Sequence, residues 1–250
     1  MNPLVDYHVH LDLYKDHEWA AEHCATQSIQ VLAVTTTPVA WQRNCDVAKN
    51  FSGIRIGLGI HPQLAAEREA DIELFEELVG QTRFIGEVGL DAGPHHYRTL
   101  DAQKRVFLRV LKAAAKSGPK VMSLHSVRTV GQILDTIEQY YSHADLRFVM
   151  HWFSGTKAQA ERAVKAGCYF SINSAMLASP NGARLAAVLP ADRILTETDG
   201  PFTQGQDGEP TEPGNVQPAL ISLARLRTVP ENALRNQIAE NLFRLEDGLV

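Results

Sequence analysis

Cysteine is scarce in this sequence and is not arranged in pairs. Only Cys24, Cys45 and Cys168 occur in 250 residues, and no two of them have a CxxC spacing. An odd, scattered set excludes a disulfide framework and predicts reduced thiols. Long apolar runs are also missing: no stretch reaches 18 apolar residues, and no basic segment followed by an apolar run opens the chain. We therefore expect neither a signal peptide nor a spanning helix, and we expect a cytoplasmic protein.

Positive charge is in deficit as well. The chain has 24 Lys and Arg against 29 Asp and Glu, for a formal net charge of -5. This argues against a broad basic surface that wraps duplex DNA, but it allows a local pocket for a phosphate or a strand end. The hydrophobic content of 44% is ordinary for a globular protein. No repeat or domain linker is present, so we interpret residues 1–250 as a single domain.

What the sequence does contain is a regular alternation of short apolar runs with helical patterns. The runs are 4–10, 31–37, 54–61, 84–91, 120–125, 147–151, 168–172 and 194–199. Between them lie segments such as 101–118, with apolar residues every three or four positions and a closing glycine. Eight strands alternating with helices predict an α/β fold, a (β/α)8 TIM barrel. The alternative is a doubly wound sheet, although its Gly-rich phosphate loop is missing. The Gly- and Pro-rich segment 203–215 is expected to be a loop.

Metal-binding side chains stand late in these runs. His8 and His10 are two residues apart and so point to the same side of one strand. All strands of a barrel end at one face, where the active site is expected. The candidate ligands at that face are His8, His10, Glu87, His125, His151 and Asp199, with His61 and Asp91 ending the third and fourth runs. A single such histidine is also explained as a hydrogen-bonded core residue, and Asp199 as a helix N-cap, but the whole set is not.

Six ligands suffice for two divalent ions if one carboxylate bridges them, whereas a single zinc needs three or four. Glu87 is the expected bridge because its run lies between the others. We predict that His8, His10, Glu87 and Asp199 bind one ion, and that Glu87, His125 and His151 bind the other. Two ions roughly 3.5 to 4 Å apart hold both the attacking and the leaving oxygen of an in-line displacement and lower the pKa of a bridging water. This chemistry suits a phosphodiester.

Six short motifs, in their order, resemble those of the TatD family of metal-dependent deoxyribonucleases, within the amidohydrolase-like barrels. They are HVHLD at 8–12, GLGIHP at 57–62, GEVGLD at 86–91, SLHSVR at 123–128, HWFSG at 151–155 and TETDGPF at 196–202. The resemblance implies a Mg2+- or Mn2+-dependent nuclease, typically a 3′ to 5′ exonuclease on single-stranded DNA. It implies that the metal positions fall on the same six ligands, and that His61 lies near the scissile phosphate.

The chain departs from the family around the pocket rim. After GEVGLD it reads AGPHHYR in place of an aromatic pair and a basic residue, so we consider Arg98 as a phosphate contact and an exposed loop as the alternative. Trp152 stands where a cysteine is common in the family. Together with Phe202 it is a candidate to stack a terminal base, with a core or rim role as the alternative. These departures leave the substrate preference open.

Several details are similar to the TatD-type nucleases of the Qat antiphage defence system. They are the segments LDLY, TTTPVAW, GIHPQLA, HWFSG and ETDGPF. The similarity implies a role in antiphage defence beside an ATPase, a QueC-like enzyme and a small partner protein.

The leading hypothesis is a two-metal phosphodiester hydrolase acting on DNA. In it Glu87 and Asp199 hold the ions, Asp199 is also the general base, and His61 holds a phosphate oxygen or relays a proton. A second hypothesis is an amide or ester hydrolase on the same barrel, but such relatives often bridge their metals with a carboxylated lysine. A third is a scaffold or partner-activated subunit. The ligand types accept Mg2+ or Mn2+, and also Zn2+, Ni2+ or Co2+.

Overall fold

Strands and helices alternate along the chain, as the sequence predicts. The computed structural model describes residues 2–141, 144–205 and 207–247. The strands are β1 (Val5–Val9), β2 (Gln30–Val34), β3 (Ile54–Gly57), β4 (Phe84–Asp91), β5 (Lys120–Val127), β6 (Leu146–His151), β7 (Tyr169–Ile172) and β8 (Ile194–Thr196). The helices are α1 (His17–Thr26), α2 (Pro38–Ala48), α3 (Ile72–Leu78), α4 (Leu100–Lys116), α5 (Val130–Tyr140), α6 (Lys157–Lys165), α7 (Ser174–Ala178), α8 (Pro180–Val188), α9 (Gln217–Arg227) and α10 (Glu231–Glu246). All eight predicted strands are confirmed, and β4 has the predicted bounds.

The strands form two sheets in which every neighbouring pair is parallel. One sheet has the order β1-β2-β3 and the other the order β4-β5-β6-β7-β8. The order follows the chain without reversing, so the alternative of a doubly wound sheet is wrong. The strands are buried almost throughout because helices cover one of their faces and strand side chains pack on the other.

Backbone hydrogen bonds connect the two sheets at both of their edges. They run from Leu58 N to Phe84 O (3.0 Å), from Gly86 N to Leu58 O (3.0 Å), from Asp199 N to His8 O (2.8 Å) and from His10 N to Gly200 O (2.9 Å). These bonds bring β3 beside β4 and the segment after β8 beside β1. The arrangement is TIM-barrel-like, with continuous ladders inside each sheet and separate hydrogen bonds such as these between the sheets. A closed eight-stranded barrel stays a prediction.

Four strands end earlier than predicted. β1 ends at Val9 rather than at residue 10, β2 at Val34 rather than at residue 37, β3 at Gly57 rather than at residue 61, and β8 at Thr196 rather than at residue 199. The last two differences concern candidate site residues. His61 N donates to Thr36 O at 2.9 Å, just past β2. Asp199 has a left-handed backbone, with φ 52°, while its N–H donates to His8 O. Both segments therefore leave the ladder but stay tied to the end of a neighbouring strand, which keeps His61 and Asp199 at the strand-end face.

The helices are amphipathic, most clearly α4. Its buried apolar residues recur every three or four positions and pack on β4; they are Val106, Phe107, Val110, Leu111 and Ala114. α4 ends at Lys116, and Gly118 beyond it adopts φ +87°, a conformation that glycine accepts without steric cost. The predicted glycine stop is confirmed. In the described residues no helix combines the length and the hydrophobicity needed to cross a membrane.

The segment 203–215 is a loop after β8, as predicted, in the part of it that the structure describes. That part contains one antiparallel bridge, between Gln204 and Pro210, and no helix. Tyr14 Oη donates to Thr211 O at 2.5 Å, and Gly214 N donates to the buried Asp6 carboxylate at 2.9 Å. The loop is thus fastened to the first strand and to the turn that follows it.

Candidate metal centre

The six candidate ligands lie together at the carboxyl ends of the strands. They are His8 in β1, His10 just after it, Glu87 in β4, His125 in β5, His151 at the end of β6 and Asp199 just after β8. Each is buried, with between 0% and 9% of its surface exposed. Because parallel strands place their carboxyl ends on one face, residues almost 200 positions apart in the chain become neighbours.

The Glu87 carboxylate lies at the centre of this cluster. Its Oε2 atom is 3.4 Å from His8 Nε2 and 3.3 Å from His10 Nε2. Asp199 Oδ1 faces the same two nitrogens, at 3.7 Å from His8 and 3.6 Å from His10. Two imidazole nitrogens and two carboxylate oxygens therefore surround a common space. That is the donor count and donor type of a four-coordinate divalent cation.

The other oxygen of Glu87 faces a different set of histidines. Oε1 is 2.7 Å from His125 Nδ1, 3.2 Å from His61 Nε2 and 3.4 Å from His151 Nε2. Ligand atoms of His61, Glu87 and His125 all lie within 4.8 Å of one another. Glu87 thus presents one oxygen to each of two groups of nitrogens, which is how a carboxylate bridges two cations.

His8 and His151 connect the two groups. Their rings stack with centroids 3.7 Å apart and an interplanar angle of 11°. Burial lowers the pKa of His8, and the adjacent His151 lowers it further. Burial opposes protonation of His151 as well, but the carboxylates of Glu197 and Asp199 raise its pKa well above the usual value. His8 is therefore the neutral ring of the stack and His151 the charged one when no cation is bound.

The carboxylates of the cluster are ionised at neutral pH. Burial alone would raise the pKa of Glu87, but the positive charges of the surrounding histidines hold it well below its usual value. Burial likewise opposes protonation of His10, yet the carboxylates of Asp199 and Glu87 raise its pKa to about 9. Protons on the histidines thus balance the carboxylate charge in the absence of a cation.

Three nitrogens of the cluster have no hydrogen-bond partner of acceptable geometry in the described part of the chain, although they are buried. They are His10 Nδ1 and, facing Glu87 and Asp199, His8 Nε2 and His10 Nε2. An unpaired buried polar atom costs roughly 1–3 kcal/mol, so such atoms generally have an unseen partner. A divalent cation is a suitable partner for these nitrogens and carboxylates, and the residues therefore fit a metal site.

Three of the histidines form a hydrogen bond through the ring nitrogen that points away from the cluster centre. The contacts are His8 Nδ1 with Ser123 Oγ (2.7 Å), His125 Nε2 with Asp91 Oδ2 (2.9 Å) and His151 Nδ1 with Glu197 Oε1 (3.1 Å). A carboxylate that accepts the proton of one ring nitrogen leaves the other nitrogen free for a cation and fixes the ring orientation. From these hydrogen bonds we assign Nδ1 of His125 and Nε2 of His151 as the nitrogens that can bind a cation.

Glu197 is a functional residue that the sequence analysis did not select. It is 1% exposed, and besides His151 it accepts hydrogen bonds from Asn173 Nδ2 at 2.8 Å, from Trp152 N at 3.2 Å and from Ser171 Oγ. A carboxylate so deep in the protein costs free energy unless it is paired, and His151 is its charged partner. The available signal was its place two residues before Asp199 in the apolar run 194–199.

Asp91 forms a hydrogen bond with His125 and accepts two further hydrogen bonds. Its Oδ2 atom also accepts from Gln63 Nε2 at 2.8 Å, and its Oδ1 atom accepts from Gly93 N at 2.6 Å. Burial would raise the pKa of Asp91, but the bonds from His125 and Gln63 lower it far below the usual value. The sequence placed Asp91 late in its strand without giving it a role, and the structure makes it the positioning partner of a ligand histidine.

His61 lies outside its predicted strand but still reaches the centre. It precedes a short turn at Pro62–Leu64, and its Nδ1 accepts the Gln63 N–H at 3.3 Å. The same ring reaches Glu87 through Nε2, so the turn-capping role and the site role coexist. Burial lowers the pKa of His61. Its neutral ring carries the proton on Nε2, as assigned from the hydrogen bond at Nδ1, and is a donor toward the site.

A cavity of about 350 Å³ opens onto the cluster. Its lining includes four of the six ligands, Glu87, His125, His151 and Asp199, together with His61, Gln63, Val127, Trp152 and Phe202, among others. Arg98 does not line it; this side chain is exposed in the turn after β4, with its guanidinium 5.7 Å from the Tyr97 ring centroid. The structure thus brings His61 and Trp152 to the site and leaves Arg98 on the exposed loop weighed as its alternative. A larger cavity of about 840 Å³ lies beside loop 203–215, away from the histidines.

Several known proteins are similar to this chain in sequence. The human protein described as deoxyribonuclease TATDN3 is 25% identical, over 97% of this chain and 94% of its own length. An uncharacterized metal-dependent hydrolase of Escherichia coli K12, YjjV, is 26% identical over 96% of each chain. A protein of Cronobacter sakazakii described as 3'-5' ssDNA/RNA exonuclease TatD is 28% identical over 68% of this chain and 65% of its own.

The fold is shared as well. The crystal structure of Escherichia coli YjjV superposes on 97% of this chain, and on 97% of its own, with a TM-score of 0.86 at 24% identity. The sequence model of the family described as TatD related DNase matches residues 5–247. That match confirms the resemblance of the six motifs. Because it spans almost the whole sequence, the chain belongs to the TatD related DNase family.

Proposed function

We propose that this protein is a divalent-metal-dependent nuclease that hydrolyses phosphodiester bonds of DNA, acting from the 3′ end of single strands. The observation that carries the proposal is Glu87, whose two oxygens face two separate groups of buried nitrogens. Membership in a family of metal-dependent DNases supports the substrate class. The description of the Cronobacter relative as a 3'-5' exonuclease on single strands supports the polarity.

Six residues would hold two cations in this proposal. His8, His10, Glu87 and Asp199 hold the first, while Glu87, His125 and His151 hold the second. When bound, the two cations neutralise charge on the phosphoryl group and provide hydroxide near neutral pH. Mg2+ and Mn2+ are the first choices, and Zn2+, Ni2+ and Co2+ also suit these donors.

The chain's own side chains supply positioning and proton transfer. Asp199 is ionised because the neighbouring histidines lower its pKa against the effect of burial, so it accepts the proton of the attacking water. His61 donates a hydrogen bond from Nε2–H to a non-bridging phosphate oxygen. The water oxygen bonds to phosphorus and the bond from phosphorus to the leaving sugar oxygen breaks. That oxygen takes up a proton from solvent, to which Asp199 releases the proton that it accepted from the water.

The direct test uses protein stripped of metal and then supplied with Mn2+ or Mg2+. With single-stranded DNA labelled at its 5′ end, we expect a ladder that shortens from the 3′ end and that chelator abolishes. A 3′-phosphorylated strand controls for the end at which cleavage starts. If the metal-loaded protein cleaved neither DNA nor RNA with any of the five metals, the phosphodiester assignment would be wrong, and amide and ester substrates would be assayed next.

Replacing Glu197 by Gln is expected to lower metal affinity or kcat by about 10- to 100-fold, the usual cost of losing a partner that orients a ligand. Glutamine has one acceptor oxygen where Glu197 has two, and it lacks the negative charge that balances protonated His151. The exposed Glu209→Gln is the matched control. Metal titration and kcat are measured together, and an unchanged affinity with unchanged kcat would show that His151 needs no such partner.

Metal affinity is expected to rise with pH. A cation must displace the protons of His10, whose pKa is about 9, and of His125 and His151, whose pKa values the nearby carboxylates also raise despite burial. Below these pKa values protons compete with the metal, so binding at pH 6.5 should be at least about tenfold weaker than at pH 8.5. Calorimetry in two buffers of different ionisation enthalpy should show proton release, and an affinity independent of pH would contradict the ligand assignment.

We also propose that the nuclease serves antiphage defence in the cytoplasm, together with the ATPase, the QueC-like enzyme and the small protein of a Qat system. The similarity of five segments to the Qat nucleases supports this role. The plating efficiency of phage should be lower on cells that express all four components, and the Glu87→Gln substitution should restore that efficiency. Equal plating with the wild-type chain and with that variant would refute the role without touching the nuclease assignment.

A further inference from the structure

Two aromatic side chains at the mouth of the cavity contact different histidines of the cluster. The Phe202 ring is edge-on to His10, with centroids 5.0 Å apart, and the Trp152 ring is edge-on to His151, with centroids 6.4 Å apart. His10 follows β1 and His151 ends β6, and these strands belong to different sheets. The cavity therefore has one aromatic ring beside each of two separate histidines.

The backbones that carry the two rings are held by hydrogen bonds. Phe202 is 61% exposed, yet its N–H donates to the backbone carbonyl oxygen of Asp199 at 2.9 Å, which fixes its main chain next to that residue. Trp152 has φ 39°, a left-handed conformation that bulky residues rarely adopt, and its N–H donates to Glu197 Oε1. A strained backbone that holds a side chain at a site mouth is typical of a binding role.

The cavity lacks the long cationic side chains that commonly bind phosphates, as far as the structure describes its lining. Among its described lining residues none is lysine or arginine. A protein that grips a single strand through such side chains loses affinity with salt, with a logarithmic slope of roughly -0.7 for each phosphate neutralised. Base stacking on aromatic rings is the alternative mode of binding a single strand, and it contributes about 10- to 100-fold in affinity per base.

We propose that Trp152 and Phe202 each stack one of the two bases that flank the scissile phosphodiester, so that the enzyme recognises a dinucleotide step rather than a long strand. The inference rests on the proposed nuclease function. The volume of about 350 Å³ supports it, because this lies at the low end of the range of about 300–1,000 Å³ for small-ligand clefts. Short single-stranded oligonucleotides, down to the dinucleotide, are then full substrates.

The test crosses three substrates with three enzymes. The substrates are a thymidine dinucleotide and two analogues, each lacking the base on one side of the phosphodiester. The enzymes are the Mn2+-loaded wild type, Trp152→Ala and Phe202→Ala. On the wild type, removal of either base should lower kcat/KM by about 10- to 100-fold. One of these losses should disappear in Trp152→Ala and the other in Phe202→Ala, because a missing ring cannot sense a missing base.

Further controls separate stacking from folding and from charge. Trp152→Phe keeps a ring on the same backbone and should restore the sensitivity to the missing base, while Trp19→Ala removes an exposed tryptophan elsewhere and should change nothing. For the dinucleotide and a 30-residue strand, wild-type kcat/KM should agree within about tenfold, and its logarithmic salt slope should be shallower than about -1.

Two results would overturn the inference while leaving the nuclease function intact. One is cleavage of the base-lacking analogues as fast as the dinucleotide. The other is a 30-residue strand preferred by more than about 100-fold, with a steep salt slope that reveals several cationic phosphate contacts. Failure to cleave the dinucleotide and the 30-residue strand alike would instead refute the proposed function, and the inference with it.

Discussion

Replacing Glu87 by Gln is expected to lower kcat/KM for DNA by at least about 10³-fold, a loss of roughly 4 kcal/mol of transition-state stabilisation. Glutamine has nearly the same shape, but one of its two terminal atoms is an NH2 group that cannot bind a cation. One half of the bridge is therefore lost whichever way the amide turns. Few substitutions in the molecule should have a larger effect, because the two oxygens of Glu87 face both groups of histidines.

Three measurements test this prediction. Metal content per chain should fall from two ions to one or none, and kcat/KM should fall with it. Thermal unfolding of the metal-free variant checks that the protein folds. Glu77→Gln, on the exposed side of α3, is the matched control and should keep both metal content and activity. A Glu87→Gln protein with two bound ions and more than a tenth of the wild-type activity would show that this carboxylate does not bridge.

Replacing Asp199 by Asn should lower kcat by about 10² to 10⁴-fold, the usual contribution of a positioned general base. The asparagine keeps an oxygen that can face His8 and His10, but it cannot accept a proton from water. The backbone should not change, because asparagine tolerates the left-handed conformation at φ 52° as well as aspartate does. Asp199→Ala is less informative, since alanine is strained there and both effects would be mixed.

The pH dependence of kcat distinguishes a base from a mere ligand. At metal concentrations that saturate the site at every pH, wild-type activity should fall at acidic pH as Asp199, whose pKa the neighbouring histidines lower against burial, takes up a proton, and in Asp199→Asn this acidic limb should flatten. Asp192→Asn, on the exposed surface, is the control and should leave the profile unchanged. If Asp199→Asn lost metal and retained the same acidic limb, Asp199 would be a ligand only, and the base would be another group.

Part of the site was predictable because strands impose simple rules. The period of two in an extended chain places His8 and His10 on one side of β1, and the shared direction of parallel strands places His125 and His151 at one face. Neither rule needs a distance between strands. The six ligands could therefore be chosen by residue type and by their place in the apolar runs, and the structure brings all six together.

The supporting residues were not predictable in the same way. Glu197 and Asp91 act through single hydrogen bonds to His151 and His125, and those bonds depend on side-chain direction and on the register between strands. The position of the Arg98 side chain depends on the conformation of the turn after β4, and no short sequence motif predicts that conformation. β3 ends four residues before His61, and a hydrogen bond from His61 N to Thr36 O keeps His61 at the site.

The sequence by itself determined the eight strands, their parallel order, the ligand types and the family, because these depend on periodicity and on local motifs. Only the tertiary structure decided which oxygen of Glu87 meets which histidine, which ring nitrogen each ligand turns inward, and where Trp152 and Phe202 lie around the cavity. The physical reason is that hydrophobic periodicity fixes the side of an element on which a residue lies. Distances of about 3 Å between side chains are set by strand register, by rotamers and by the bonds between the two sheets.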